Sequence, residues 1–141
     1  MKQIEIKAAI ENLIDTFLYA GKVSIELRKK GLIKEIKEDN TPVSNGDLEV
    51  NRILTEKINN LTPQIPIVSE ETSHNKSKKD LKNFWLIDPI DGTYDYINDL
   101  DEFTLNAGLI INNRAVAGII YAPAKNRLFY SYEKGCSFEI I

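Results

Sequence analysis

The spacing of apolar residues predicts two amphipathic helices in the first half of the chain. From residue 4 to residue 30, apolar side chains recur every three or four positions while charged side chains fill the opposite side. The apolar stripe consists of Ile10, Leu13, Ile14, Phe17, Ala20 and Leu27. Gly31 follows a basic last turn and is expected to end this helix in a left-handed conformation. A second helix is predicted to begin at Ser44 or Asn45 and to end at Thr62-Pro63.

Short apolar runs between and after these helices predict the first strands. Residues 32–36 alternate apolar and charged side chains, which favours a short edge strand or hairpin arm, and residues 37–42 are typical of a turn-rich loop. The runs at 65–68 and 84–87 are typical of buried strands. The polar, lysine-bearing segment 72–82 is predicted to be a mobile surface loop in which His74 is exposed.

The residue pattern in the last third of the chain predicts a β meander. Strands are predicted at 105–111, 115–121 and 128–132, with a hairpin turn at Asn112-Asn113. Gly108 and Gly118 lie inside these strands and indicate a bulge or a closely packed neighbour. Helices early and antiparallel strands late predict an α+β fold, with two long helices packed on a mixed, largely antiparallel sheet.

The composition of the chain limits the classes of protein to which it can belong. The 141 residues suffice for one domain with a buried core, and no internal repeat or linker is visible. A net charge of -3 leaves no broad basic face, so no nucleic acid polymer is expected as a partner. The single Cys136 excludes an internal disulfide and fits a reducing compartment. No apolar run is long enough for a transmembrane segment; a cytoplasmic location is expected, compatible with peripheral association with the inner membrane.

The candidate chemistry lies where the predicted strand 84–87 stops. Asp88 and Asp91 follow it on either side of Pro89, close enough in sequence to share a cation or to bridge two. Glu70 follows the strand at 65–68 and can join them if the two strands are neighbours. With the backbone carbonyl of Ile90, these carboxylates form an all-oxygen ligand set, which suits Mg²⁺ or Mn²⁺ better than zinc.

The following turn suits a phosphate ester. Backbone N–H groups of Gly92 and Thr93, at a turn expected to open a helix, can hold phosphate oxygens. Thr93 can also pass a proton from an attacking water to a nearby carboxylate, and Asp47, in the first turn of the second helix, is the free candidate. The residues therefore indicate metal-assisted phosphate chemistry.

Each of these residues also has an ordinary structural explanation. An Asp-Pro pair after a strand is most often a turn, and Asp47 can simply complement a helix dipole. Glu70-Glu71 can be solvated. The aromatic residues near the turn are expected to pack in the core rather than to stack on a base; these are Tyr94, Tyr96 and Phe103.

In this order, the segments resemble the inositol monophosphatase superfamily of Mg²⁺-dependent, lithium-sensitive phosphatases. The specific signature is Trp85-Leu86-Ile87-Asp88-Pro89-Ile90-Asp91-Gly92-Thr93, preceded by Ser69-Glu70-Glu71. Residues 37–47 are similar to the family's loop and helix start that carry the water-activating acid. The resemblance runs from about residue 8 to about residue 138.

The resemblance implies roles for individual residues. The catalytic pair that activates water would be Asp47 and Thr93. The metal ligands would be Glu70, Asp88, Ile90 and Asp91, holding two or three Mg²⁺ ions per site, with Mn²⁺ as a substitute. The substrate-binding residues would be Glu70, Ile90, Asp91, Gly92 and Thr93.

Two segments narrow the implied substrate. Residues 101–106 and 120–123 are most similar to CysQ-type 3'(2'),5'-bisphosphate nucleotidases, which remove the 3'-phosphate of 3'-phosphoadenosine 5'-phosphate, a by-product of sulfur metabolism. After the signature, the inositol monophosphatase and nucleotidase branches usually read Thr-Asn-Phe and Lys-Glu-Phe. This chain reads Tyr94-Asp95-Tyr96 and matches neither. An inositol monophosphatase or another sugar-phosphate phosphatase is therefore the alternative.

Members of the superfamily continue into a second, α/β domain that supplies another metal-binding aspartate from a Trp-Asp pattern. Trp85 is the sole tryptophan here, so residues 1–141 are expected to form the N-terminal domain alone. An uncovered apolar sheet face or edge is then expected, and with it self-association. The expected partner is a second copy of the chain or a separately encoded C-terminal half. A truncated, catalytically silent fragment that binds metal or phosphate is the third alternative.

Overall fold

The computed structural model describes residues 1–71 and 81–140, and its helices lie where the sequence predicts them. Helix α1 spans Gln3–Lys30, α2 spans Asn45–Leu61, and the short α3 spans Thr93–Ile97. A 3₁₀ helix at Pro123–Lys125 was not predicted. The predicted loop at 72–82, with His74, falls largely outside the described residues.

Local chemistry explains where the helices begin and end. Ser44 caps α2, as the sequence predicts, and Thr62 follows its last turn. Gly31 ends α1 at a φ of 97°, a backbone conformation that glycine adopts without strain. The predicted stop at Gly31 is therefore confirmed.

The strands form two sheets. A small antiparallel hairpin pairs β1 (Lys34–Ile36) with β2 (Pro42–Ser44). The main sheet has six strands, which are β3 (Ile67–Ser69), β4 (Phe84–Asp91), β5 (Thr104–Ile111), β6 (Arg114–Ala122), β7 (Arg127–Glu133) and β8 (Cys136–Ile140). They neighbour one another in chain order. Only β3 and β4 are parallel, so the sheet is mixed and largely antiparallel, as predicted.

The hydrophobic core lies between one face of the main sheet and the two long helices. Helix α1 packs on β6 and β7 while α2 packs on β4. Core side chains with no exposed surface come from both layers; they include Leu13, Phe17, Leu54, Trp85, Ile87, Leu105, Leu109 and Ile119. Since the helices carry the predicted apolar stripes on their sheet-facing sides, the burial of these stripes fixes the α+β architecture.

The opposite face of the sheet is open. Leu86, Ile120 and Phe129 are 40%, 46% and 36% exposed, and they line a groove of about 460 Å³. Its floor contains Gly108 and Gly118, which stand directly opposite one another on β5 and β6. The bulge that these glycines indicated lies beside them, between Leu109 and Ile110. The expected uncovered apolar face is present in the described chain.

Two strands differ from the sequence prediction. Strand β4 does not stop at Asp88 but continues to Asp91, because pairing with β5 resumes beyond Pro89. Proline has no N–H to donate, and the ladder is irregular at this point. Strand β8 (Cys136–Ile140) was not predicted. Gly135, with a φ of 84°, lies in the turn that brings β8 back beside β7.

Candidate active site

Asp47 is held at the start of α2 by a reciprocal cap. Its Oδ2 atom accepts hydrogen bonds from the backbone N–H of Ser44 at 2.8 Å and from the Ser44 hydroxyl at 2.6 Å. The backbone N–H of Asp47 donates back to the Ser44 Oγ atom at 3.3 Å. The side chain has no exposed surface. Asp47 is thus a helix-start acid, as one prediction held, and it is also fixed in place by the protein.

The second oxygen of Asp47 faces Thr93. The Thr93 hydroxyl lies 2.9 Å from Asp47 Oδ1 and 3.1 Å from the carbonyl oxygen of Ile90, both acceptors. A hydroxyl has one proton, so it donates to one of these oxygens at a time. Asp47 and Thr93, which are 46 positions apart in sequence, therefore lie within hydrogen-bond distance, and the Ile90 carbonyl is the second acceptor for the same hydroxyl.

Gly92 makes this meeting geometrically feasible. Its φ of 86° places it in the left-handed region, where it caps α3. A Cβ atom at this position would lie 2.6 Å from the carbonyl oxygen of Glu102, so the site excludes larger residues on steric grounds as well. The turn sends the chain from β4 directly into α3 and places the Thr93 hydroxyl over the carbonyl of Ile90.

The parallel pair of β3 and β4 places Glu70 beside Asp88. Ser69 stands opposite Ile87, and the backbone N–H of Glu70 donates to the Ile87 carbonyl oxygen at 3.2 Å. Side chains alternate along a strand, so Glu70 continues on the same side of the sheet as Asp88. The sequence analysis required β3 and β4 to be neighbours for Glu70 to join the two aspartates, and they are.

A bulge in β4 brings the two aspartates to one face. Asp88 pairs with Asn106 and Asp91 pairs with Thr104, so three steps on β4 match two steps on β5. In a regular strand, residues three apart point to opposite faces. The extra residue reverses that parity, and Asp88 and Asp91 share the open face of the sheet.

The carboxylates around Asp88 repel one another. Burial, followed by the charges of Asp91 and Glu70, raises the pKa of Asp88 to about 6. Burial also raises the pKa of Glu71, while Lys37 opposes that shift. The carboxylates of Glu70, Glu71, Asp88 and Asp91 are near enough to interact electrostatically, and a bound cation would relieve their repulsion.

The donor set fits a hard divalent cation, although the side chains do not form a ready cage. Among residues 1–71 and 81–140, no three acidic, histidine or cysteine side chains are grouped tightly enough to hold a metal ion. Glu70 and Asp91 are exposed, however, and such side chains can change rotamer at little cost when a cation arrives. Glu70, Asp88, Asp91 and the carbonyl of Ile90 supply only oxygen, the donor that Mg²⁺ prefers.

Sequence reasoning did not assign roles to three further residues near this site. The Lys37 ammonium lies 3.7 Å from a carboxylate oxygen of Glu71, whose side chain is only 7% exposed. This contact ties the loop after β1 to the end of β3. Asn51, one turn after Asp47 on α2, accepts a hydrogen bond of 2.5 Å from the Ser69 hydroxyl. The position of Glu71 next to Glu70 was a visible signal, whereas nothing local marked Asn51.

Fold and site together define the class, an α+β domain with several carboxylates gathered where two parallel strands end. Comparison with known proteins specifies the family. The sequence profile of the inositol monophosphatase family matches residues 6–139. The chain is similar to the 3'(2'),5'-bisphosphate nucleotidase CysQ of Haemophilus influenzae, with 40% identity over 114 residues, which are 79% of this chain and 42% of the relative.

Solved structures agree with this result. CysQ of Bacteroides thetaiotaomicron is 28% identical, with a TM-score of 0.68, over 98% of this chain and 49% of that one. The inositol monophosphatase of Thermotoga maritima is 25% identical, with a TM-score of 0.80, over 92% of this chain and 50% of that one. The chain belongs to the inositol monophosphatase family, and it spans about half the length of these relatives.

None of the helices within residues 1–71 and 81–140 combines the length and apolar character that crossing a bilayer requires.

Proposed function

We propose that this chain carries the metal-binding and water-activating part of a Mg²⁺-dependent phosphomonoesterase, whose substrate is the 3'-phosphate of 3'-phosphoadenosine 5'-phosphate. The single observation that supports it most is the contact of the Thr93 hydroxyl with Asp47, beside a group of mutually repelling carboxylates. Similarity to CysQ proteins at 36–40% identity favours this substrate.

Each residue of the site has a part in the proposed reaction. Mg²⁺, when bound by Glu70, Asp88, Asp91 and the Ile90 carbonyl, neutralises phosphate charge and lowers the pKa of water. Thr93 accepts a proton from the attacking water and donates its own to Asp47, whose second oxygen remains held by Ser44.

The turn after β4 positions the substrate in this proposal. Backbone N–H groups of Gly92 and Thr93 hold the phosphate oxygens in line with the attack. A bond forms between the water oxygen and phosphorus while the bond to the ribose 3'-oxygen breaks. The departing 3'-oxygen takes a proton from solvent.

The test is phosphate release by the purified chain with Mg²⁺, offering 3'-phosphoadenosine 5'-phosphate and inositol 1-phosphate in parallel. Asp91→Asn removes a proposed metal ligand, and Asp15→Asn, an exposed acid on α1, is the matched control. Turnover that lithium inhibits, that Asp91→Asn abolishes and that Asp15→Asn retains supports the proposal. Turnover that survives Asp91→Asn contradicts the site assignment.

The parallel substrates decide between the two enzyme hypotheses. A preference for inositol 1-phosphate favours an inositol monophosphatase or another sugar-phosphate phosphatase. The TM-score of 0.80 to the Thermotoga maritima inositol monophosphatase supports this alternative. No turnover with either substrate favours the third hypothesis, a silent metal- or phosphate-binding fragment, and its partner would be a second copy or a C-terminal half.

A further inference from the structure

Tyr96 lies at the junction of the three helices that frame the candidate site. Its side chain has no exposed surface. The phenol donates a hydrogen bond of 2.7 Å to the carbonyl oxygen of Ser24 on α1. The backbone N–H of Tyr96 donates to the Gly92 carbonyl oxygen at 2.9 Å, which closes the first turn of α3. The residue therefore links the turn that carries Thr93 to the middle of α1.

The ring also touches the start of α2. Gly46 is buried against it, and a Cβ atom at position 46 would overlap the Tyr96 hydroxyl oxygen and lie 2.7 Å from two ring carbons. Gly46 directly precedes Asp47, and Tyr96 follows Thr93 by three residues. One side chain thus packs against the helix start that carries Asp47 and belongs to the helix that carries Thr93.

Two further residues lie against the Tyr96 ring. The Phe103 ring is tilted at 57° to it, with 4.9 Å between ring centroids. The Arg28 guanidinium lies 5.6 Å from the Tyr96 ring centroid and 5.0 Å from that of Phe103, and it donates to the Leu100 carbonyl oxygen at 2.7 Å. The ring is therefore packed among buried neighbours, and a shift of its position would disturb these contacts.

We propose that Tyr96 is a positioning residue: by filling the space between Ser24 and Gly46, it sets the 2.9 Å contact between Thr93 and Asp47. The inference rests on the proposed function, because the contact matters to turnover only if Asp47 and Thr93 activate water. Burial and the neighbouring charge of Asp47 raise the pKa of the phenol, so it stays a neutral hydrogen-bond donor.

The fold contains a second tyrosine–glycine contact that serves as a control. Tyr121 on β6 is buried against Gly21 of α1, and a Cβ atom at Gly21 would overlap its ring. This contact involves neither Asp47 nor Thr93. The two pairs are alike in burial and in the tightness of the contact. They differ in their neighbours and in the hydrogen bond from the Tyr96 hydroxyl to Ser24, so the glycine variants are the closer match.

The experiment compares four variants: Tyr96→Phe and Gly46→Ala, with Tyr121→Phe and Gly21→Ala as controls. Steady-state kcat and KM, the Mg²⁺ concentration that gives half-maximal rate and the thermal midpoint are measured for each. Both glycine variants are expected to lower the thermal midpoint. Of the four variants, only the two at the site are expected to lower kcat: Gly46→Ala at least tenfold and Tyr96→Phe at least threefold. KM and the Mg²⁺ requirement are expected to stay within twofold of the wild type. Equal kcat losses in both pairs, or none in the site pair, overturn the proposal.

Amide hydrogen exchange separates this inference from the proposed function. Tyr96→Phe is expected to speed exchange at least threefold at 44–47 and 92–96, and Tyr121→Phe to leave those segments unchanged. If the chain has no turnover but shows this exchange pattern, the proposed function fails while the positioning contact stands. Unchanged exchange in Tyr96→Phe overturns the inference whether or not the chain is active.

Discussion

Two aspartates of the site, Asp47 and Asp88, are held in opposite ways. Asp47 is fully buried, and its oxygens accept three hydrogen bonds, two from Ser44 and one from Thr93. Asp88 is half-buried among other acids, with a pKa raised to about 6 by burial and by the charges of Asp91 and Glu70. The protein satisfies one carboxylate and leaves the other in an unfavourable environment.

The difference shows what each carboxylate can do. A carboxylate whose partners are protein groups keeps one orientation and can take a proton at a defined atom. A carboxylate that repels its neighbours lowers the stability of the fold until a cation arrives. In the proposed reaction Asp47 would therefore contribute to stability and to proton transfer, whereas Asp88 would contribute to cation binding at some cost in stability.

The largest expected effect comes from Asp88→Asn. Loss of a ligand should reduce turnover by about a thousandfold, since a bound metal ion supplies several kcal/mol of charge stabilisation. The metal-free protein should nevertheless be as stable as the wild type or more so, because one repelling charge is gone. Phosphate release and thermal unfolding in EDTA check the two halves. A large loss of stability would contradict the comparison.

Thr93→Ala should slow turnover by about a hundredfold, the usual contribution of a positioned proton-transfer group. The Mg²⁺ concentration needed for half-maximal rate should hardly change, because Thr93 is not a proposed ligand. Kinetics as a function of Mg²⁺ measure both quantities. A shifted Mg²⁺ requirement with unchanged maximal rate would show that Thr93 acts through the metal instead.

Asp47→Ala should destabilise the fold by about 2 kcal/mol, because it removes a helix cap and leaves buried donors of Ser44 unpaired. Urea unfolding measures this value. The same measurement on Asp88→Asn provides the contrast, since the comparison requires the two substitutions to differ clearly in stability.

The smallest expected effect is on pH dependence. A carboxyl group whose pKa is about 6 when folded and 3.8 when unfolded binds more protons in the folded state between these values. Without metal, the contribution of Asp88 to stability should therefore decrease as pH rises from 4 to 6. Thermal midpoints in EDTA across this range, compared with Asp88→Asn, isolate the contribution. Saturating Mg²⁺ should remove it, and a difference of opposite sign would refute the raised pKa.

Local patterns were enough to predict much of this molecule. The apolar stripe of α1 and the Ser44 cap of α2 each depend on residues a few positions apart, so the sequence shows them directly. The turn at Asn112-Asn113 was predictable for the same reason, because two adjacent asparagines favour a hairpin turn. Both residues adopt the positive φ that such a turn requires.

Other features depend on partners far along the chain. The bulge after Asp88 exists because β5 pairs on both sides of Pro89, and strand β8 exists because Gly135 returns it to β7. Tyr96 was expected to be a packing aromatic, and so it is, but its contacts with Ser24 and Gly46 are 72 and 50 positions away in sequence. The roles assigned to Asp47, Glu70, Asp88, Ile90, Asp91, Gly92 and Thr93 remain predictions.

The bulge in β4 makes the site unequally tolerant of different kinds of genetic change. A substitution at Pro89 alters one side chain and leaves the register of the strand to be adjusted locally. An in-frame deletion of one codon between Asp88 and Asp91 removes the extra residue, so two steps match two on β5 and both aspartates stay on the open face. Single-codon deletions in this short segment should therefore disturb the pairing of β4 with β5 less than deletions between Phe84 and Asp88, where the two strands pair residue by residue, and a deletion scan of the gene would reveal the difference.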